Sequence, residues 1–402
     1  MALMPVAEAL RLVLVDAKPL PVETVPLDRA RGRVLAENMA ALRTQPPAAV
    51  SAMDGYAVRA SDVATAPATL KVIGEVAAGH PFPKQIVAGQ AARIFTGGVM
   101  PDGTDTVVIQ ELTSREGDNV TIQKATAKGR NVRNQGIDFK QGAVLLGKGR
   151  RLTDRDVMLA AAMNYPNVSV HRRPKVAVLG TGDELVPPGA TPRSGEIVYS
   201  NGFALIALAR GEGAEALDLG IARDRVEDIA NAVRRARECN ADILVTSGGA
   251  SVGEHDLVQR ALAAEGLDLS FWRVALRPGR PMMHGRLGAM QVLGVPGNPV
   301  SSYVCAFLFL VPLIRRLSGR SDAEPRPERA RLGCDLPGND ERADYLRATL
   351  ADGPDGLVAT PLPSQDSSLM APLAKADCLV IREANAVAAA AGSDCVILKL
   401  GL

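Results

Sequence analysis

"PKVAVLGTGDEL", residues 174–185, climbs through an apolar run into a glycine-bearing loop and ends beside two carboxylates, Asp183 and Glu184. That is a strand feeding a loop. The segments downstream of it decide the fold. "SNGFALIALARGEGA" predicts a helix closed by Gly211, and "EALDLGIA" a second strand. "DRVEDIANAVRRARECN" predicts an amphipathic helix, and "ADILVTSGGAS" a third strand with another glycine loop. "MQVLGVPGNP" is a later strand, and "PVSSYVCAFLFLVPLIRRL" a long helix with Pro299 in its first turn, a favoured position. Strands alternating with helices at this spacing make a doubly wound, mostly parallel α/β sheet. Ligands of such sheets bind beyond the carboxyl ends of the strands, so "GTGDE", "TSGGASVGEHD" and "GVPGNPVSS" are expected to share one rim.

Outside this block the rhythm changes. Residues 6–18 carry helical periodicity through Val6, Ala9, Leu10, Val13 and Leu14. From residue 46 to about 138, short alternating runs such as "TLKVIGEVAAG" and "DTVVIQEL" between turn signals predict a β-rich unit. "TDRDVMLAAAMN" (153–164) predicts a helix with Thr153 as N-cap. The charged, proline-containing "GRSDAEPRPERAR" (319–331) is a linker, and short alternating segments after it predict a small β-domain.

The bulk numbers agree with a multidomain globular chain. Its 402 residues, at ~100–200 per domain, allow two to four domains. Aromatic residues are only 3%, so the cores are built from Val, Leu, Ile and Ala. A net charge of +2 argues against a nucleic-acid-binding surface of the usual kind. Four His and five Cys without CxxC spacing give no metal framework and fit reduced thiols in a cytoplasmic protein. The apolar run 303–314 is shorter than the ~20 residues of a membrane span and contains Pro312, so it reads as a buried helix. No secretory signal is expected, and no membrane partner.

Three kinds of residue point to chemistry. The loops around Ser247, Gly248, Gly249, Ser251 and Gly253, and around Pro296, Gly297, Asn298, Ser301 and Ser302, combine free backbone N–H groups, hydroxyls and helix N-termini, which together bind phosphate. Glu184 and Asp256, with Asp183 and Glu254, place carboxylates beside that phosphate site, an unfavourable arrangement unless a hard cation such as Mg²⁺ lies between. His255 alone is a weak metal signal. Arg273 and Arg277, four apart on a stretch expected to be extended, are placed on one side for an oxyanion, with Arg280 nearby. Asp54-Gly55 in "SAMDGYAVRA" reads by itself as a turn.

In this order "SAMDGYAVR", "RIFTGG…PDGTDTVVIQE", "GTGDEL", "TSGGASVGEHD", "RPGRPM" and "GVPGNPVSS" resemble the MoeA-type molybdopterin molybdenumtransferase family, to which the C-terminal domain of gephyrin is related. The resemblance spans essentially the whole chain. It implies an elongated four-domain chain: 1–45 continued by 139–172, a β-rich inserted domain 46–138, a molybdopterin-binding α/β domain 173–320, and a C-terminal β-domain 321–402. It implies adenylylated molybdopterin and molybdate as substrates, AMP as product and a divalent cation, usually Mg²⁺. It also implies a homodimer whose cleft lies between the α/β domain of one subunit and the β-rich domain of the other. Molybdopterin adenylyltransferase and molybdoenzyme recipients are the partners it suggests. Position by position, the catalytic set is Asp54, Thr96, Asp138, Glu184, Asp224 and Asp256, with Glu184 and Asp256 toward the metal. Arg273 and Arg277 stand where the family often has lysine, and Arg347 and Ser367 complete the substrate-binding set. The alternatives are the adenylyltransferase step itself and a non-catalytic scaffold.

Overall fold

The computed structural model describes residues 3–248, 257–354 and 356–401. Gly249, Ser251, Gly253, Glu254, His255 and Asp256 lie outside the described residues.

The central unit is a six-stranded sheet. Its strands are β1 (Lys175–Thr181), β2 (Glu215–Ala222), β3 (Ile243–Ser247), β4 (Asp268–Trp272), β5 (Met283–Leu287) and β6 (Met290–Val295), in the order β2-β1-β3-β6-β5-β4. The first four run parallel, and β5 and β4 extend the sheet in antiparallel fashion. Side chains alternate across a strand, so β1 feeds two cores. Val176 and Val178 pack on one face with Leu205 and Ala209, while Ala177 and Leu179 pack on the other with Ile229 and Val233. The doubly wound reading holds. Helix α3 (Asn201–Gly211) covers the first face, and α4 (Val226–Glu238) and α5 (Leu257–Ala264) the second. One boundary differs from expectation: α3 includes Gly211, and the left-handed residue after it is Gly213 (φ 92°). Glycine suits that conformation because it has no Cβ.

Pro299–Leu317 is the buried spine of this face. It begins as α6 (Pro299–Cys305), widens to a π-turn over Ala306–Leu310 and ends as α7 (Val311–Leu317). The run is longer than the apolar stretch suggested: 19 residues, apolar enough by length and composition to cross a membrane, but with 83% of its most apolar window buried inside the protein. Pro312 does not interrupt it. A proline has no N–H and crowds the carbonyl four residues before, and the widened turn just upstream accommodates both.

The N-terminal segments pack against each other. Helix α1 (Val6–Leu14) joins the core of the spine through Ala9, Val13 and Leu14. Val22–Pro26 pairs with Asn167–His171, and α2 (Asp154–Ala162) starts at a Thr153 capping box with Asp156. Between these two segments, residues 46–138 form their own six-stranded sheet, entered and left at the Gln45–Phe139 bridge. The C-terminal strands close into a small barrel, because Ala343–Gly353 pairs with both Gly356–Pro361 and Cys378–Arg382.

A buried ion cluster ties the spine to α3. The Glu212 side chain is 1% exposed and accepts from Arg315 at 2.6 Å and Arg320 at 2.7 Å. Removing one partner of such a cluster strands the others away from water. Glu212→Ala is therefore expected to cost about 3–5 kcal/mol, read as a lower midpoint in denaturant unfolding. A shift under ~1 kcal/mol would mean that water solvates both arginines.

Candidate active site

The carboxyl ends of β1, β3 and β6 meet as the alternation predicts. Ser247, the last residue of β3, is 3% exposed. Asn201, the first residue of α3, donates from Nδ2 to Ser247 Oγ at 2.9 Å and to the Gly297 carbonyl at 2.8 Å. One amide thus fastens two glycine loops together. Gly248 has φ 102°, and a Cβ there would lie 2.4 Å from the Thr181 carbonyl oxygen. A Cβ on Gly297 would lie 3.6 Å from Gly248 Cα, so the third loop closes on the other two. Helices α3 and α6 both start here and aim partial positive charge at the rim; α3 adds free N–H groups, whereas Pro299 has none at the start of α6. Gly297 and Asn298 are exposed on it, while Pro296 is buried behind.

Buried hydroxyls accompany the loops. Thr181 Oγ1, Tyr199 Oη, Thr246 Oγ1 and Ser302 Oγ have no hydrogen-bond partner among the described residues. Burial, then the Asp218 charge, pushes the Tyr199 phenol well above its ordinary value, so it stays a neutral donor. Ser301 and Ser302 are 5% and 1% exposed, which corrects the reading of both as rim donors: they sit inside the first turn of α6. Asn201 and Tyr199 were not identified from sequence, where "YSNG" reads only as a helix start.

The barrel contributes through one turn. Asn298 Nδ2 donates to Ser367 Oγ at 2.8 Å, and the Val300 N–H to the Ser367 carbonyl at 3.0 Å. Arg347 does not reach the surface. It is 0% exposed and donates to the carbonyls of Ser364 at 3.3 Å and Asp366 at 3.1 Å. Its placement as a substrate ligand is corrected: it shapes the turn that presents Ser367.

The acids at the rim are exposed. Asp183 Oδ1 accepts from the Asp224 N–H at 3.3 Å, linking the loops after β1 and β2. The Glu184 carboxylate lies against Gly182, where a Cβ would be 2.4 Å from Oε2. No cluster of three His, Cys, Asp or Glu side chains able to hold a metal occurs among the described residues. The donors present are carboxylate oxygens, which fit Mg²⁺ only in its usual mode of one or two carboxylates plus substrate phosphate and water.

The arginine pair departs from expectation. Arg273 has φ 84°, Arg277-Pro278 is cis, and Arg273 N–H and Val274 N–H bond back to Met282 and Arg280 carbonyls. The stretch is folded back, so the extended geometry that placed both arginines on one side is absent. Arg277 pairs with Asp340 and lies 3.6 Å from Asp344, which commits it to the barrel. Arg342, first, and Arg277 hold the Asp340 carboxyl at about 2. The Arg273 guanidinium lies over the Trp272 ring at 5.7 Å and has no ion-pair partner among the described residues.

A second cluster lies in the β-rich unit. Asp54 Oδ1 accepts from the Thr96 N–H at 2.8 Å and from Thr96 Oγ1 at 2.9 Å. These bonds, the backbone one first, hold the Asp54 carboxyl below its ordinary value, so it is ionised. Gly55 is required beside it, since a Cβ would lie 2.0 Å from the Val108 carbonyl oxygen. Arg93, unremarked in the sequence, locks the turn. It donates to the Gly55 carbonyl at 3.1 Å and to Gln110 Oε1 at 2.6 Å, over the rings of Tyr56 and Phe95 at 5.2 and 5.0 Å. Asp138 is exposed where the chain leaves this unit, its N–H bonded to the Gln45 carbonyl at 3.2 Å. Among the described residues, no strand pairing or salt bridge joins 46–138 to the sheet domain. The structure therefore brings Ser247, Gly248, Gly297, Asn298 and Ser367 together, and Asp54 with Thr96, as two separate groups.

Asn201→Ala tests the rim. It removes both loop ties, worth about 0.5–1.5 kcal/mol each, and is expected to lower kcat/KM about tenfold or more in steady-state kinetics. Unchanged kinetics would show that the loops hold without it.

Comparison with known proteins matches this arrangement over nearly the full chain. Residues 4–164 match the MoeA N-terminal region (domain I and II), 177–316 a probable molybdopterin binding domain, and 329–400 the MoeA C-terminal region (domain IV). The chain is similar to a molybdopterin molybdenumtransferase of Nostoc sp., 37% identical with 94% of this chain and 88% of that protein covered. It is also similar to one of Haemophilus influenzae, 34% identical with 96% of each chain covered. A solved structure of a molybdopterin biosynthesis MoeA protein from Pyrococcus horikoshii superposes with a TM-score of 0.85 at 31% identity, covering 100% of both chains. The sheet rim with its barrel turn, and the Asp54–Thr96 cluster, thus sit in a chain that belongs to the MoeA family of molybdopterin molybdenumtransferases.

Proposed function

We propose that this chain is a molybdopterin molybdenumtransferase of molybdenum cofactor biosynthesis, inserting molybdenum from molybdate into adenylylated molybdopterin with release of AMP. The observation that carries this is the rim: glycine loops and two helix N-termini converge where an anionic substrate needs its charge offset. Ser247, Gly248, Gly297 and Asn298 hold the phosphate end of the pterin substrate. Ser367 closes that side through its bond to Asn298. Molybdate must be brought beside another anion, so catalysis is largely positioning and charge compensation. Arg273, without an ion-pair partner among the described residues, is the available cation of its pair.

Asp54 and Thr96 complete the site from a second subunit. This reading is supported by the lack of strand pairing or salt bridges between the two groups within one chain, among the described residues. The protein then works as a homodimer, in the cytoplasm, where its unpaired cysteines stay reduced. Glu184, with Asp256, would hold Mg²⁺, which when bound polarises a phosphoryl oxygen of the substrate.

The test uses purified protein with adenylylated molybdopterin, Mg²⁺ and molybdate, following AMP and the activation of a molybdenum-free apo-enzyme. Molybdate-dependent AMP release with recovered apo-enzyme activity is expected. Tight nucleotide binding without release would contradict the transferase reading.

A further inference from the structure

The opposite end of the sheet carries a second concave site. A cavity of about 430 Å³ opens where the N-terminal segments meet the sheet domain, lined by Arg31, Arg151, Thr153, Asp154, Arg173 and Arg210. Four arginines and one aspartate thus line it, Arg31, Arg210 and Asp154 from the exposed side and Arg151 and Arg173 half-buried. The nearby acids are already committed. Glu212 is held by Arg315 and Arg320, and Asp156 by Arg150 at 2.9 Å and by the Thr153 cap.

The lining arginines outnumber the carboxylates beside them. None of the four forms an ion pair among the described residues. Arg151 donates to the Gly211 carbonyl at 2.8 Å, and Arg210 makes a long 3.4 Å bond to the Ala216 carbonyl. Burial first, and then the charge of Arg320, hold Arg151 below the ordinary arginine value, so an anion placed here relieves an existing repulsion. The N-cap Thr153 and first residue Asp154 of the nine-residue α2 also line the cavity, the Asp154 carboxylate offsetting part of the positive helix end. The floor is closed: a Cβ on Gly213 would lie 3.4 Å from the Gly32 carbonyl oxygen, so the two loops touch.

This is not the rim. Seven-residue β1 separates the two ends of the sheet, a span of roughly 20 Å at ~3.3 Å per residue. A cavity without aromatic lining and rich in planar forked donors suits an oxyanion. We propose that it is a second oxyanion site, taking a tetrahedral dianion of the phosphate or molybdate kind and clamping the N-terminal segments to the sheet domain. The proposal is independent of the transferase reading.

Equilibrium dialysis of the full-length protein against molybdate, and separately against inorganic phosphate, tests it. The variants are Arg31→Gln with Arg173→Gln, Arg210→Gln alone, and Gly248→Ala at the rim. Uptake at the cavity is expected to weaken at least tenfold in the double variant and measurably in Arg210→Gln, and to persist in Gly248→Ala. AMP release at saturating substrate should be unchanged in the double variant. Competition between the two ions identifies the preferred one. Uptake unaffected by either arginine variant would overturn the proposal. So would uptake abolished by about 0.15 M sodium chloride, which marks loose surface attraction, or binding of polyglutamate with no uptake of either ion.

Discussion

Asp54→Ala is expected to lower turnover at least a hundredfold while the protein stays folded. The carboxylate is exposed, so its loss opens no cavity, but it carries the charge of a turn built to hold it. Two Thr96 donors grip Oδ1, Gly55 is wedged between strands, and Arg93 fixes the backbone. Asp54→Asn separates the two roles of this side chain. Its amide oxygen still accepts from Thr96, but the charge is gone. We expect Asn to be as inactive as Ala, and near-normal turnover in Asp54→Asn would reduce Asp54 to a loop clip. The pH dependence has a definite sign. The folded carboxyl titrates below its ordinary value, with Thr96 as the first cause. The charge, and the stability it contributes, are therefore fully present above the unfolded value of ~3.9 and lost only as pH falls through the lower folded value. No activity limb near neutral pH should trace to Asp54.

Gly248→Ala should be nearly as damaging, for a purely geometric reason. A Cβ there meets the Thr181 carbonyl oxygen at 2.4 Å, on a backbone at φ 102°. The left-handed conformation alone costs an L-residue about 1–2 kcal/mol. The larger effect is displacement, since Gly297 and the Ser247 end of β3 cannot keep their spacing if Gly248 moves. Misplacing a substrate-holding loop by ~1 Å can cost about 100-fold. Steady-state kinetics should show a loss of that order in kcat/KM, with a modest fall in thermal midpoint. Wild-type kinetics would mean that the loop does not touch substrate.

The alternation of strands and helices was legible because apolar period and glycine position are local properties. That the carboxyl ends of β1, β3 and β6 share a rim was legible too, since topology places them there. Partners distant in sequence were not legible. Arg277 reads as a free oxyanion ligand until the barrel brings Asp340 to it, 63 residues on. The resemblance gives Arg347 as a substrate ligand, yet it is buried beneath its own turn. Pro312 looks like an interruption, because its accommodation by a widened turn depends on packing around the spine. Asn201 tying two loops, and Arg93 stacked on two rings, are visible only once the chain is folded.

The central claim is that the Asp54 cluster of one subunit and the glycine rim of another form one catalytic site. Coexpressing Asp54→Ala and Gly248→Ala chains with different tags, and isolating the mixed species, tests it directly. Each homodimer has two broken sites. The mixed dimer concentrates both lesions in one site and leaves the other intact, as two-fold symmetry requires. It should therefore recover about half of the wild-type rate of molybdate-dependent AMP release. A folded mixed dimer as inactive as its parents would contradict the claim and place both groups in a site made by a single chain.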